Sequence, residues 1–273
     1  MRHFSMAPQE MLGSLWRNRG LIFQMSKREV IGRYRGSYIG VAWSFLNPLL
    51  MLAVYTFVFS VVFQARWGVN VEESKTDFAI VLFVGLIIHG LFAECINRSP
   101  HLIISNVNYV KKVVFPLEIL PWVTLGSALF HAVVSLVVLL VAQLIINSYI
   151  PPTALLFPLV IFPLILWIIG LAWFLAGLGV FLRDVGQVTV MLTTILLFIS
   201  AVFFPISSLP EKFQYWLKLN PLAYIIEEGR NVLVFGVLPD LHGLLLALGL
   251  GAVFAWLGFA WFQKIRKGFA DVL

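Results

Sequence analysis

Long apolar stretches, separated only by short polar segments, constrain the fold of this chain more than any other feature. Hydrophobic residues make up 60% of the 273 residues and charged residues 12%, whereas about 25% of an ordinary soluble domain is charged. About 20 apolar residues in one helix cover the hydrocarbon core of a bilayer. The sequence therefore predicts an all-α, polytopic membrane protein.

The apolar runs predict six transmembrane helices within a single domain of residues 1–273. These spans cover residues 41–63, 78–96, 117–146, 154–182, 188–204 and 241–262. Pro48 lies inside the first span and frees a backbone carbonyl one turn earlier, so that side of the helix is expected to face protein or an aqueous path. Small residues at Ala172, Ala176 and Gly177 favour close helix packing in the fourth span.

Two polar segments flank the early spans. Residues 1–32 are predicted to be a cytoplasmic amphipathic segment, interrupted near Asn18, whose second half forms an interface helix too polar to span. Residues 99–110 are predicted to form a short helix bounded by Pro100 and Pro116, which suits contact with a partner. A polar loop is predicted from residue 64 to residue 77.

Residues 205–240 are too polar and too interrupted to be one span, and they predict two short helices that re-enter the outer leaflet. Ser208 followed by Glu211 matches a capping box for the first. Asn220 and Pro221 separate the two helices, and Gly236 ends the second.

The distribution of Lys and Arg predicts the orientation. Of these 19 residues, five fall in segments predicted to lie outside and 14 on the cytoplasmic side, which predicts both termini in the cytoplasm. The basic residues lie between apolar runs and not on one soluble face, so nucleic acid is not an expected partner. No cleavable signal peptide is predicted, and Cys95, the single cysteine, excludes a disulfide framework.

Several chemistries lack the residues they need. The sequence contains no P-loop, no His-Glu-x-x-His, no Gly-x-Ser-x-Gly and no Asp-x-Asp, so ATP hydrolysis and glycan synthesis by this chain are not expected. Ion coupling would depend on His89, His131, Glu94 and Glu118. The histidines fit hydrogen-bonded contacts between helices better, and Glu118 fits a local ion pair with the Lys111–Lys112 pair.

A cationic and aromatic stretch leads into the first span. Its sequence is Arg33-Tyr34-Arg35-Gly36-Ser37-Tyr38-Ile39-Gly40. Guanidinium groups and phenol rings at the depth of lipid headgroups suit a ligand with phosphate and sugar, although the arginines alone would also serve as topology signals. Aromatic rings along a passage would suit a sugar polymer. The candidates are Trp43, Tyr55, Phe59, Phe198 and Phe204.

Residues 33–48 closely resemble the first-helix signature of polysaccharide exporter permeases of the type-2 ABC transporter family, particularly the O-antigen exporters. Four further segments are similar to the same family: residues 111–121, Phe181-Leu182-Arg183-Asp184, Leu219-Asn220-Pro221-Leu222 and residues 267–273. The resemblance extends over nearly the whole chain.

The resemblance implies a permease half-transporter in the bacterial inner (cytoplasmic) membrane that acts in lipopolysaccharide biosynthesis. Two copies of the chain would form the passage as a homodimer, and two copies of a separate ABC ATPase subunit would dock beneath them. This chain would be no enzyme and would hold no cofactor, since ATP and Mg belong to the partner. The cargo implied is an undecaprenyl-diphosphate-linked polysaccharide.

The resemblance also implies residue roles. Arg33 and Arg35 would bind the diphosphate. The residues that would stack on sugar rings are Tyr34, Tyr38 and Trp43. The ATPase contacts would be Lys27, Arg28, Ser105, Asn106, Asn108 and Tyr109. The outer gate would include Phe213, Trp216 and Tyr224. Alternatives are a permease of the same architecture that exports a drug or a lipid and, on weaker grounds, an ion-coupled transporter.

Overall fold

The protein is described by a computed structural model that covers residues 5–62, 75–111 and 115–273. Within this part of the chain the residues form helices and turns and no strand. The α-helices are α1 Pro8–Arg17, α2 Arg19–Arg33, α3 Trp43–Tyr55, α4 Lys75–Arg98, α5 Val107–Lys111, α6 Leu120–Asn147, α7 Phe157–Phe181, α8 Val185–Ile199, α9 Glu211–Lys218, α10 Pro221–Arg230, α11 Leu241–Ile265 and α12 Phe269–Val272. Most of the predicted loop at 64–77, the end of the first predicted span at Phe63, and Lys112 lie outside the described residues.

Five helical stretches among the described residues are long and apolar enough to cross a membrane. They are Gly40–Phe59, Phe78–His101, Leu117–Asn147, Pro152–Phe181 and Leu241–Val272. The prediction of an all-α polytopic membrane protein is therefore confirmed. Helix α8, at the place of the fifth predicted span, has only 15 residues, about 22 Å at 1.5 Å per residue. It is shorter than the hydrocarbon core.

Helix α4 is the central helix of the bundle. Of the 18 most apolar consecutive residues in this helix, 78% are buried. The helix packs against α3, α6, α7, α8 and α10. It extends to Arg98, two residues past the predicted end of that span. The polar side chains of its last turn are paired with other helices, so the helix need not end where its hydrophobicity does.

The two ends of α4 define the two ends of the bundle. Near its start, Val81 O accepts a hydrogen bond from Arg230 Nε of α10 at 3.2 Å. Near its finish, Arg98 pairs with Glu29 of α2. These contacts are 17 residues apart along one helix, about 25 Å. We refer below to the α10 end and the α2 end of the bundle.

Helices α7 and α11 pack most closely of all described pairs, and small residues make this possible. A methyl group on Gly258 would lie 2.8 Å from the carbonyl carbon of Gly170. Ala172 and Ala176 are buried, and Gly177 faces Ile265. The predicted small-residue packing in this segment is confirmed.

The segment after α4 is less regular than the predicted helix at 99–110. It forms two 3-10 turns, Ser99–His101 and Ile104–Asn106, followed by α5. Pro100 has no N–H with which to continue α4. In the turn before it, Ser99 Oγ donates to Cys95 O at 2.6 Å. We call residues 99–111 the post-α4 segment.

The predicted capping box of α9 is wrong. Ser208 Oγ donates to Pro205 O at 2.8 Å, and Pro210 occupies the position before the helix without a side-chain cap. Asn220 is the residue that caps, because its Oδ1 accepts the Leu222 N–H of α10 at 3.0 Å. Gly236, at φ +70°, ends the π-helical stretch Asn231–Phe235 that follows α10, as predicted.

The interruption near Asn18 divides the N-terminal segment into α1 and α2. The clearer separation of polar and apolar faces lies in α1 and not, as predicted, in α2. Helix α2 packs on α6 through a polar contact, Ser26 Oγ to Val123 O at 3.0 Å. A polar contact therefore helps to hold α2 on the bundle.

Gly179 of α7 lies against Pro100 of the post-α4 segment, and its substitution tests how closely these two parts of the chain pack. A methyl group on Gly179 would lie 2.8 Å from Pro100 Cα, so Gly179→Ala is expected to destabilise the protein by about 1–3 kcal/mol through overpacking. Gly249→Ala is the matched control, because nothing lies within 4 Å of its added methyl group. Thermal unfolding in detergent measures both, and equal melting temperatures would contradict the close approach.

Candidate functional site

The cationic stretch forms a tight turn at the α2 end of the bundle. Helix α2 ends at Arg33, and the chain reverses before the 3-10 turn Gly40–Ala42 that begins α3. Gly36 and Gly40 have φ of +85° and +61°, in the left-handed region that favours glycine. Trp43 Nε1 donates to Ser37 Oγ at 3.1 Å across this turn.

Arg33 is held in a cluster of charged and polar side chains. Its guanidinium pairs with Glu94 of α4 and lies 3.1 Å from His131 Nδ1 of α6. Tyr34 Oη lies 3.1 Å from the other ring nitrogen of His131. The cluster continues to Arg98, 3.4 Å from Glu94. It therefore joins α2, α4 and α6.

The charges of this cluster balance once Glu29, the partner of Arg98, is included: two guanidinium groups face two carboxylates. The side chain of Arg33 is 38% exposed and that of Glu94 21%, so an incoming anion could compete for Arg33 from the solvent side. Burial raises the pKa of Tyr34 above its ordinary value; its phenol would be neutral near pH 7 even without this shift, so the hydroxyl is able to donate.

A cavity of about 400 Å³ opens directly beside the cluster. It is lined by Arg33, Tyr34, Ser44, Asn47, Pro48, Met51, Tyr55, Phe83, Leu86, Ile87, His89, Gly90, Glu94, His131, Ser135 and Leu197. Asn47 and Pro48 thus face a cavity, as the proline in this span predicts. His89 lies 2.9 Å from Thr193 O of α8, which confirms its prediction as a hydrogen-bonded contact between helices.

We call residues 33–40 the threshold, and most of them are exposed. Arg33, Arg35 and Tyr38 are all exposed, Tyr38 fully so, whereas Tyr34 is half-buried. Among the described residues, Arg35 has no ion pair. The structure thus brings Arg33 and Tyr34 together at the cavity, whereas Arg35 and Tyr38 are not among the residues that line it.

The predicted passage aromatics form a partial series from α3 towards α8. Tyr55 and Phe59 have ring centroids 6.3 Å apart. Phe59 stacks on Phe203 at 6.1 Å, and Phe203 on Phe198 at 5.3 Å. Phe204 has no place in this series among the described rings. Its neighbour Phe203 makes the contacts with Phe59 and Phe198 instead. Helix α8 ends at Ile199, so helical periodicity does not predict which of the two rings faces this series.

The residues predicted to contact a partner lie together at the α2 end. Arg28 donates to Tyr109 Oη at 3.3 Å, which joins α2 to the post-α4 segment. Three other predicted contact residues, close in sequence to Arg28 or Tyr109, are exposed: Lys27, Ser105 and Asn108. Asn106 is only partly exposed, and its Nδ2 donates to Leu102 O at 2.8 Å. The tail reaches the same region, since Lys111 contacts the Leu273 carbonyl.

The three predicted gate residues lie at the α10 end and differ in their exposure. Phe213 and Trp216 of α9 are 55% and 65% exposed. Tyr224 is half-buried, and its hydroxyl donates to Asp240 O at 3.2 Å. Tyr224 therefore ties α10 to the start of α11.

Two ion contacts differ from the sequence prediction or escaped it. Glu118 does not pair with Lys111; it binds Arg266 at 2.6 Å and accepts from Ser14 Oγ at 3.0 Å. The sequence separation of 148 residues explains the error. Arg230, predicted from the sequence only as one of the cations of the outer segments, is completely buried. No local pattern marks this burial, because Arg230 follows Glu227-Glu228-Gly229 at the end of a short helix.

Comparison with known proteins gives a consistent family. The model of the ABC-2 type transporter family matches residues 20–234. The O-antigen export system permease protein RfbA of Myxococcus xanthus is 28% identical over 94% of this chain and 96% of its own length. RfbA of Klebsiella pneumoniae is 25% identical over 93% and 95%. The polysialic acid transport protein KpsM of Escherichia coli is 24% identical over 78% and 81%.

Proposed function

Because the chain belongs to the ABC-2 type transporter family, we propose that it is the permease half of an ATP-driven exporter of undecaprenyl-diphosphate-linked polysaccharide. The observation that carries this proposal is the similarity, over 93–94% of the chain, to permeases named for O-antigen export. A relative named for polysialic acid transport supports the wider class of sugar polymers. ATP and Mg would be bound by a separate ABC ATPase subunit.

A homodimer in the bacterial inner membrane, with both termini in the cytoplasm, fits this function. Helices α3 and α8 border the cavity through Met51 and Leu197. Both also expose apolar side chains, such as Leu50 on α3 and Leu192 on α8. A second copy against these faces would enclose the aromatic series between two protomers.

The threshold would receive the lipid carrier at its diphosphate. Arg35 is exposed and makes the first contact, and Arg33 follows when the diphosphate displaces Glu94. A guanidinium fork binds phosphate through two parallel hydrogen bonds. Tyr34, Tyr38 and Trp43 then present rings to the first sugars, and Tyr55, Phe59 and Phe198 offer further rings along the path. Phe204 has the weakest support among these candidates.

At the α10 end, Phe213 and Trp216 would act as movable gate residues because they are exposed on an eight-residue helix. Tyr224 would be the fixed side of the gate, since Asp240 holds its hydroxyl. The gate would thus open by movement of α9 against α10.

A strain that lacks this chain tests the cargo. We expect undecaprenyl-linked polysaccharide to accumulate on the cytoplasmic side while surface polysaccharide disappears, with restoration by the wild-type gene. Normal surface polysaccharide in the deletion strain would contradict the proposal and direct attention to a drug or lipid as cargo.

Site-directed crosslinking tests the ATPase contact. The only native cysteine, Cys95, is 1% exposed, so cysteines introduced at Lys27 and Asn108 can be labelled selectively. We expect a benzophenone maleimide at either position to form a photoadduct with the ATPase subunit in the intact complex. Glu211→Cys, exposed on α9 at the opposite end, is the control. Adducts at residue 211 but at neither of the other two would contradict the assignment.

A further inference from the structure

A second cavity lies at the α10 end of the bundle, away from the threshold. Its volume is about 660 Å³, within the range of sites for small molecules. Helices α7, α10 and α11 and the segment before α10 surround it. Most of its walls are apolar, including Leu246, Ala247 and Leu250 of α11.

The walls also carry two carboxylates. Glu227 lines the cavity, is 34% exposed, and has a long contact of 3.5 Å with Arg230. Glu228 lines it as well, and accepts from the Asp240 N–H at 3.1 Å and from Asn231 Nδ2 at 3.4 Å. On the α7 side, the ring of Trp167 adds to the apolar wall. The cavity therefore places the partly exposed carboxylate of Glu227 beside apolar walls.

The wall of the cavity formed by α11 continues into an exposed apolar surface. Leu246 and Leu250 are 57% and 62% exposed, so an acyl chain from the surrounding bilayer has a continuous apolar path along α11. None of the four rings of the aromatic series lines this cavity. It is therefore a site separate from the predicted passage.

We propose that this cavity binds one zwitterionic phospholipid with a primary ammonium headgroup, taken from the surrounding bilayer. The ammonium carries three N–H donors, which match the carboxylates of Glu227 and Glu228. An acyl chain covers the apolar wall of α11. The bound lipid braces α10 against α7 and α11. This inference goes beyond the proposed function and does not depend on the cargo.

Lipid selectivity of the purified permease–ATPase complex tests the proposal. The complex is placed in nanodiscs of equal parts phosphatidylethanolamine and phosphatidylcholine, and the lipids that remain bound are counted by native mass spectrometry. Phosphatidylcholine is the matched probe, because its quaternary nitrogen has no N–H donor. We expect retention of phosphatidylethanolamine, and an approximately tenfold loss of this preference in Glu227→Gln, the size of one charge-assisted hydrogen bond.

Two further variants make the result decisive. Glu211→Gln removes an exposed carboxylate from α9 and is expected to keep the preference. Ala247→Phe fills the cavity without changing charge and is expected to lower retention of both lipids. Equal retention of the two lipids by the wild type, or an unchanged preference in Glu227→Gln, would overturn the proposal. Because this experiment measures lipid binding, its result does not depend on whether the chain exports polysaccharide.

Discussion

Arg230→Met is expected to destabilise the protein by about 3–5 kcal/mol, the cost of removing one partner from a buried charged network. Arg230 is completely buried, and its guanidinium donates to the carbonyls of Val81, Ala201 and Val202 at 3.2, 2.7 and 2.7 Å. Methionine keeps much of the volume but leaves these carbonyls without their donor. Thermal unfolding in detergent, followed by size-exclusion chromatography, measures the loss.

Two neighbouring residues, Ala201 and Gly85, show how closely the structure is fitted to the Arg230 guanidinium. Ala201 adopts φ +55°, an unfavourable conformation for a residue with a Cβ, and its carbonyl is one of the three acceptors. Gly85 of α4 leaves the space for the guanidinium, since a methyl group there would lie 2.9 Å from Arg230 Nη2. Arg230 thus fixes the chain after α8 and anchors α10 to α4.

Two control variants separate this role from charge alone. Lys212→Met removes an exposed cation from neighbouring α9 and is expected to leave the melting temperature unchanged. Arg230→Lys keeps the charge but lacks the planar fork that reaches several carbonyls at once, so an intermediate loss is expected. A methionine variant that melts with the wild type would show that the carbonyls find other donors.

The sequence was sufficient for the features that depend on the bilayer or on local chain chemistry. Apolar runs had to be helices, because a backbone in lipid must satisfy its own hydrogen bonds. Gly236 and Asn220 mark helix ends through conformation and capping within a few residues. The Gly177 region predicts close packing by side-chain size alone.

Interactions between distant segments could not be predicted in this way. Hydropathy treats Arg230 as an outer cation, yet its partners lie on α4 and after α8, 28 to 149 residues away. Arg266 and Glu118 belong to different spans and meet only in the folded bundle. The same holds for Arg33: its position at a helix end was predictable, but its pairing with Glu94 was not.

The second large expected effect is a loss of polysaccharide export when Arg33 and Arg35 are replaced. We expect Arg33→Ala/Arg35→Ala to reduce export at least about tenfold, since charge-assisted hydrogen bonds to the diphosphate contribute roughly 1.5–3 kcal/mol each. Arg33→Lys and Arg35→Lys are also expected to impair export, because lysine keeps the charge but cannot bind bidentately. Surface polysaccharide and accumulated undecaprenyl-linked polysaccharide are measured together, at matched levels of the complex in the membrane.

A purely structural role for Arg33 predicts a different pattern, and Glu94 separates the two. If Arg33 only neutralised Glu94, then Arg33→Ala/Glu94→Ala would remove both charges and recover most of the export lost in Arg33→Ala. Because we assign Arg33 to the diphosphate, we expect the double variant to stay defective, while Glu94→Ala alone frees the guanidinium and retains export. Recovery in the double variant would leave Arg35, exposed and without an ion pair among the described residues, as the remaining candidate for diphosphate binding at the threshold.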